Sequence, residues 1–399
     1  MTSSSPLHDP SSSLKILQED HLFKARYTSF PVHDSSSVTC LSVLPDGRII
    51  SASDDSTIRI DSVNDSGTTA HILEGHSGGI WCMDVYDNRL VTGSTDHTIC
   101  VWDMERNTRT HLFAGHMSTV RALQIVKPDV VNVGKNGRFN VTEEWPKRPL
   151  IVSGGRESDL HVWMLPRDGD ADFYPGDNIE EDSPESLVEG NPYHLHRLEG
   201  HTAAVRAVNA RGRICVSGSY DNDVRVWDII TGECRWVLRG HVREVYSVEL
   251  DIERQLAYSG SMNASIIVWD LETGTMKHQL EGHTSLVGII KLTPSYNYLL
   301  SGSADSFVCV WNTATVTGEP VHKFQPGTTA VTALASDDEY IVCASDGVVT
   351  VWDLREGKLM KTLLEDMKDV RSVFVDDKRV VCAGTSKDNI TMMHVWELR

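Results

Sequence analysis

The sequence predicts an all-β fold: a β-propeller of eight four-stranded blades, closed into a ring by an N-terminal strand that pairs with the last blade. Three observations predict it. A unit recurs at a spacing of about 42 residues, the length of one four-stranded blade, and it is clearest between Trp227-Asp228 and Trp269-Asp270. Within the unit, runs such as Val205-Arg206-Ala207-Val208 and Val224-Arg225-Val226-Trp227 alternate apolar residues with others, as strands with one buried face do. Between such runs stands Ser217-Gly218-Ser219-Tyr220-Asp221, a tight turn carrying a side-chain acceptor.

Each regular unit opens with Gly-His and closes with Trp, usually followed by Asp, which is the WD-repeat pattern. Five units carry the opening histidine: His76, His116, His201, His241 and His283. Turn acids recur as Asp96, Asp221 and Asp305, and the closing indoles as Trp102, Trp163, Trp227, Trp269, Trp311 and Trp352. At this spacing the His, the turn acid and the Trp can hydrogen-bond across a blade and staple its strands. The histidines that recur with the repeat are therefore read as structural, not as metal ligands, and neither a metal nor a cofactor is expected.

Residues 1–20 are rich in Ser, Pro and Asp and read as a disordered tail. The propeller is expected over 21–399. Leu14–Tyr27 reads as a short helix, and Tyr27–Val32 as a strand without a blade of its own, expected to pair with the strands around Val370–Trp396 and so hide the last edge. The closing dipeptides count eight units: Ile60-Asp61 (degenerate), Trp102-Asp103, Trp163-Met164, Trp227-Asp228, Trp269-Asp270, Trp311-Asn312, Trp352-Asp353 and Trp396-Glu397. Blades 1, 7 and 8 lack Gly-His and have Asp34, Gly327 and Asp366 near its place. Seven blades is the alternative if the first or last unit is incomplete. Two insertions break the period. Residues 127–149 fall inside blade 3, and residues 167–192, led by Asp168, Asp170, Asp172, Asp177, Glu180, Glu181 and Asp182, fall between blades 3 and 4. Both read as exposed loops.

The formal net charge of −19 disfavours non-specific binding to nucleic acid or to an anionic membrane. No apolar run is long enough to span a bilayer, and the N-terminus has no secretory signal, so the chain is not expected to be secreted. The eight cysteines show no paired metal-ligand spacing, and most fall inside expected strands, which points to reduced thiols. There is no Gly-rich phosphate loop, no His-Glu-x-x-His and no Gly-x-Ser-x-Gly elbow. The chain is read as a binding protein, not an enzyme.

Equivalent positions in successive repeats come out at equivalent places around the ring, so the rim can be tabulated from sequence. At the first position after the opening His-x-x-x-apolar signature, blades 1 to 8 offer Thr39, Trp81, Arg121, Arg206, Tyr246, Gly288, Thr332 and Arg371. Just before the turn acid, blades 1 to 7 offer Asp54, Thr95, Arg156, Tyr220, Met262, Ala304 and Ser345. The two sets converge on blades 2 to 5, where Arg121, Arg156 and Arg206 stand near Trp81, Thr95, Tyr220 and Tyr246. Three guanidiniums repel one another unless an anion sits between them, and arginine suits bidentate phosphate recognition. The competing reading pairs these arginines with neighbouring acids or turn carbonyls.

Several stretches carry a more specific resemblance. They are Gly79-Ile80-Trp81, Ser94-Thr95-Asp96, the run from Gly115-His116 through Thr119-Val120-Arg121, Gly154-Gly155-Arg156, Leu160-His161-Val162-Trp163-Met164-Leu165-Pro166, Asn191-Pro192-Tyr193 and Val216–Asn222. Together they resemble the fungal cell-division-control F-box/WD-repeat proteins, related to animal archipelago proteins, which are substrate receptors of SCF-type ubiquitin ligases. The resemblance implies an eight-bladed propeller that binds phosphorylated protein substrates. Arg121, Arg156 and Arg206 would grip a phosphothreonine or phosphoserine. Trp81, Thr95 and Thr119 would line a pocket for the following proline, and Tyr220 and Tyr246 would touch the phosphate or nearby peptide. It also implies SCF components as partners, a cell-cycle role, and residence in the nucleus or cytoplasm. The sequence departs from the family in two ways. The segment before the propeller is too short for the family's F-box, so direct adaptor docking is not expected from it. Ser56, His97 and Glu244 stand where fungal relatives place basic residues, while Arg371 adds a positive charge on the closing blade.

Overall fold

A computed structural model describes residues 23–64, 67–136, 139–175, 184–315 and 318–398. The expected tail over 1–20 and the acids Asp177, Glu180, Glu181 and Asp182 lie outside the described residues. Eight four-stranded antiparallel sheets make the eight blades, so the alternative of seven is set aside. Blade 4 shows the plan. Its inner strand Val205–Arg211 pairs with Ile214–Ser219, then Val224–Asp228, then the outer Glu233–Leu238. The two middle strands are buried almost throughout while the outer strand is exposed, which is why the middle runs read as apolar and the outer one does not. Each inner strand packs on the inner strand of the next blade, and that of blade 8 packs on that of blade 1, so the ring is closed. The core sits between neighbouring blades. Ile50, Ile58 and Ile60 of blade 1, for example, pack with Leu90, Cys100 and Trp102 of blade 2.

Closure uses the N-terminal strand. Phe23–Pro31 pairs antiparallel with Thr391–Leu398 as the fourth strand of blade 8, with Thr28 opposite Val395 and Phe30 opposite Met393. The helix expected over Leu14–Tyr27 is corrected at its C-terminal end, because Phe23 to Tyr27 already belong to this strand. Edge pairing there satisfies a row of backbone groups that a single helical turn could not.

The insertions also differ from the expectation. Residues 127–149 are not a plain loop: Asp129–Asn136 and Phe139–Trp145 form a separate two-stranded hairpin between the first two strands of blade 3. The hairpin leans on blade 4, where Arg211 donates to Asp129 at 2.6 Å. The acidic insertion lies within blade 3, not between blades 3 and 4. It separates Leu160–Met164 from the outer strand His194–Leu198 of the same sheet. Its described parts are anchored: Phe173 exchanges backbone bonds with Thr110 and Leu112, Arg89 pairs with Asp168 at 2.6 Å, and a short helix, Pro184–Glu189, precedes the outer strand. All eight cysteines are unpaired, and six are buried.

The staples are built from four side chains. In blade 4, His201 meets Asp221 at 2.8 Å through Nδ1 and Ser217 Oγ at 2.8 Å through Nε2, and the Trp227 indole donates to the same Ser217 Oγ at 2.8 Å. The set repeats as His76, Asp96, Thr92 and Trp102, and as His283, Asp305, Ser301 and Trp311. In blade 3 the acid is Glu157, with His116, Ser153 and Trp163. Blade 5 substitutes Asn263, so His241 bonds Ser265 and Ser259, and Trp269 bonds Ser259. Blade 1 has a staple histidine after all: His33 meets Asp55 and Ser51, each at 3.0 Å. It precedes Asp34 without a glycine before it, so the Gly-His signature passed it over. Blade 7 has none, and its Trp352 donates to Thr350 of its own strand and stacks on Phe324 at 4.0 Å.

Candidate phosphate-binding rim

Every inner strand begins with the same irregularity. Pairing with the second strand skips one residue in all eight blades, and the skipped residues are Thr39, Trp81, Arg121, Arg206, Tyr246, Gly288, Thr332 and Arg371. These are single-residue β-bulges, which release one side chain from the ladder and re-aim it. The neighbouring turn is tied to the same place by backbone. Thr95 N–H donates to Gly79 carbonyl at 2.9 Å, Arg156 to Thr119 at 3.0 Å and Tyr220 to Ala204 at 3.0 Å. Gly155 is required at this approach, since a Cβ there would lie 2.0 Å from the Thr119 carbonyl oxygen. A bond from Val205 N–H to the Glu157 carbonyl at 3.1 Å then sets the Arg156 turn against the strand that carries Arg206.

Most of the residues singled out from sequence form one continuous patch. The Arg121 guanidinium lies 5.2 Å over the Trp81 ring, and Arg206 lies 5.9 Å from the Tyr246 ring. Tyr246 and Tyr220 meet with centroids 5.2 Å apart. Burial first, and then the Arg121 charge, lower the pKa of Arg206, against an opposing pull from Tyr220 and Tyr246. The two guanidiniums are thus close enough to feel one another. Burial, and next the hydrogen bond with Tyr220, push the Tyr246 phenol up. Arg156 is exposed and joins the patch through its backbone alone, while Thr119 contributes the carbonyl that holds it. Thr95 lies against Gly78, at the Trp81 end of the patch.

The competing reading of the arginines asks for acidic or carbonyl partners. Among the described residues none of Arg121, Arg156 and Arg206 forms an ion pair. The nearest acid in sequence, Glu157, is held by His116 and by Met117 N–H at 2.5 Å. Arg206 Nε is buried without a hydrogen-bond partner. Aromatic faces offset part of the desolvation, each such contact contributing about 0.5–2 kcal/mol, but they accept no N–H bonds in the plane of the guanidinium. An anion with several acceptor oxygens would satisfy those donors and screen Arg121 from Arg206 together. Arg371 is different, for it bonds Asp369. A cavity of about 590 Å³ opens at the far ends of the inner strands, lined by Asp84, Lys127, Asp129, Arg211 and Glu249 among others. Its Arg211 is paired with Asp129 at 2.6 Å, its Lys127 lies over the Tyr86 ring, and three carboxylates share its lining.

Sequence reasoning missed the bulges and the middle-strand hydroxyls. The hydroxyls had a visible signal, because the first residue of each Ser/Thr-Gly pair (Thr92, Ser153, Ser217, Ser259, Ser301) is the one that bridges His and Trp. The bulge had none beyond the recurrence of one position.

The family model described as "WD domain, G-beta repeat" matches residues 24–60, 67–103, 192–228, 232–270, 274–312 and 318–353, together more than half of the chain. The chain belongs to that WD-repeat family. The matched stretches leave out the first three strands of blade 3, where the two insertions interrupt the repeat, and the chain beyond residue 353. Among relatives, WD repeat-containing protein pop2 of Schizosaccharomyces pombe is 40% identical over 230 residues, covering 58% of this chain and 31% of that protein. Cell division control protein 4 is 38% identical over 240 residues in Candida albicans (60% of this chain, 33% of that one) and 36% over 235 in Saccharomyces cerevisiae (58% and 28%). These relatives bear out the resemblance to the fungal cell-division-control proteins, and the match spans about a third or less of their length. Among solved structures, the computationally designed Ika8 protein aligns with a TM-score of 0.71 at 25% identity, over 92% of this chain and 98% of that one. Among the described residues no helix is long and apolar enough to cross a membrane.

Proposed function

We propose that this WD-repeat chain binds phosphorylated peptides on the rim of blades 2 to 5 and serves as a substrate-recognition module of an SCF-type ubiquitin-ligase pathway. The observation that carries the reading is the set of Arg121, Arg156 and Arg206, without ion pairs among the described residues and gathered in a chain of net charge −19. The phosphate would take charge-assisted bonds from the three guanidiniums, and Tyr220 and Tyr246 would border it. A proline after the phosphothreonine would rest on Trp81, with Thr95 and Thr119 beside it. The pathway assignment rests on the similarity to cell division control protein 4 and on what the resemblance implies for that family. Catalysis is not part of the reading; the chain would hold a substrate for another protein to modify.

The test is fluorescence anisotropy with a labelled Leu-Leu-phosphothreonine-Pro peptide, its unphosphorylated twin, and an Arg206→Ala variant whose melting is checked in parallel. The reading expects binding of the phosphorylated peptide alone, weakened about tenfold or more in the variant, as befits a charge-assisted contact of roughly 1.5–3 kcal/mol. Equal binding of both peptides would mean a WD-repeat scaffold without phosphate dependence, and would defeat the proposal.

A further inference from the structure

The repeat supplies its own control for unusual chemistry, because each blade can be compared with its neighbours position by position. Blade 3 departs at three places that meet in space. Its turn acid is Glu157, where blades 2, 4 and 6 have Asp96, Asp221 and Asp305. Two residues before its Trp it has His161, where blades 2, 4, 5 and 6 have Cys100, Arg225, Ile267 and Cys309. Opposite that Trp on the outer strand it has His194, where blades 2, 4 and 5 have Arg109, Cys234 and Met276.

These residues converge on the staple histidine. His116, Glu157 and His161 each offer one ligand atom, all within 4.8 Å of one another. His161 Nδ1 is hydrogen-bonded to His194 Nε2 at 3.1 Å, a contact that orients the His161 ring. The donors are oriented from behind. Ser153 Oγ holds His116 Nε2 at 2.8 Å, which turns Nδ1 toward Glu157. Trp163 stacks on His161 with centroids 5.4 Å apart and meets His194 edge-on at 4.7 Å. Such supporting contacts are what fix ligands in a metal site. A cavity of about 170 Å³, lined by Gly115, Met117, Glu157, Asp159 and His161 among others, reaches the cluster from solvent and has room for a water as a further ligand.

We propose that blade 3 holds a site for a zinc-type divalent cation, built from His116, Glu157 and His161, with His194 supporting His161 from behind. The contact of His116 with Glu157 would be closed by the cation instead, the His116 proton then sitting on Nε2 toward Ser153 Oγ. Imidazoles with one carboxylate are the donor set such ions prefer. The ion would clamp the loop before blade 3 to its third strand, and would fix the turn on which Arg156 precedes Glu157.

The test is titration of the purified full chain with Co²⁺, read by ligand-field absorption, and with Zn²⁺, read by melting temperature. Two variants take their replacements from blade 5, His161→Ile and His194→Met, and circular dichroism checks that each folds. The expectation is uptake of about one equivalent, a rise in melting temperature with zinc, and binding weakened about tenfold or more in each variant whose metal-free melting stays near the parent's. Absence of saturable uptake by the parent chain, or unchanged affinity in whichever variant folds, would overturn the site. Neither outcome depends on phosphopeptide binding, so the two proposals fail separately.

Discussion

Ser217 shows how much one hydroxyl holds in this fold. It is fully buried, accepts from the Trp227 indole at 2.8 Å and is hydrogen-bonded to His201 Nε2 at 2.8 Å. Ser217→Ala leaves an indole N–H and an imidazole nitrogen buried without partners, at about 1–3 kcal/mol for each group left unsatisfied. Thr350→Ala in blade 7 is the contrast, because Trp352 is half-buried and its N–H can turn to water. Urea unfolding should therefore lower the midpoint clearly for Ser217→Ala and by much less for Thr350→Ala. A second residue-scale expectation concerns Gly155. A methyl group 2.0 Å from the Thr119 carbonyl has no room, so Gly155→Ala should displace the Arg156 turn. Phosphopeptide affinity should fall although no binding side chain has changed, and anisotropy beside a melting curve checks it.

At the scale of the element, the staples titrate in opposite senses. Burial alone would push His76 down, but Cys100 and the Asp96 carboxylate reverse it and carry the ring up to about 9. That group stabilises fully below its unfolded pKa of about 6.5, and its contribution is lost as pH rises through about 9. His241 lacks a carboxylate, facing Asn263, and burial pushes it down to about 4. There the unfolded chain takes up the proton first, so stability falls as pH drops from about 6.5 toward 4. His194 and His394, both lowered by burial to about 4, act with the same sign. Asn263→Asp should raise His241 and narrow that window. Melting at pH 7 and pH 5 should then show a smaller acid loss in the variant than in the parent. The element is also where reading from sequence is sharpest and where it stops. The middle strands are buried on both faces, so those of blades 2 to 6 are legible as apolar runs of small and branched residues closed by Trp. A bulge changes pairing without changing composition, so the rim positions of Arg121 and Arg206 were legible only as a recurrence, not as a geometry. The Asp129–Trp145 hairpin reads as a loop from sequence, because it breaks the period and its residues show no apolar alternation.

At the scale of the whole molecule, the ring is held by a strand far away in sequence. Tyr27 donates to or accepts from His394 Nδ1 at 2.7 Å and stacks on Trp396 with centroids 5.2 Å apart. His394 Nε2 is already buried without a partner, so among the described residues this ring has the Tyr27 hydroxyl as its one side-chain hydrogen bond. Tyr27→Phe should cost about 1–3 kcal/mol, the penalty of orphaning a buried polar group, while a single cooperative melting transition survives. Removing residues 1–31 is a different injury. It strips the fourth strand from blade 8 and leaves Thr391–Leu398 as an unpaired edge, a template for pairing with other chains. It also uncovers the packing of Phe30 with Val38 and Ile49 of blade 1, which joins the last blade to the first. The truncated chain should therefore melt well below Tyr27→Phe and form soluble aggregates, seen together by differential scanning fluorimetry and light scattering. A truncated chain that stayed monodisperse and melted with the parent would mean that the ring closes through its inner strands alone.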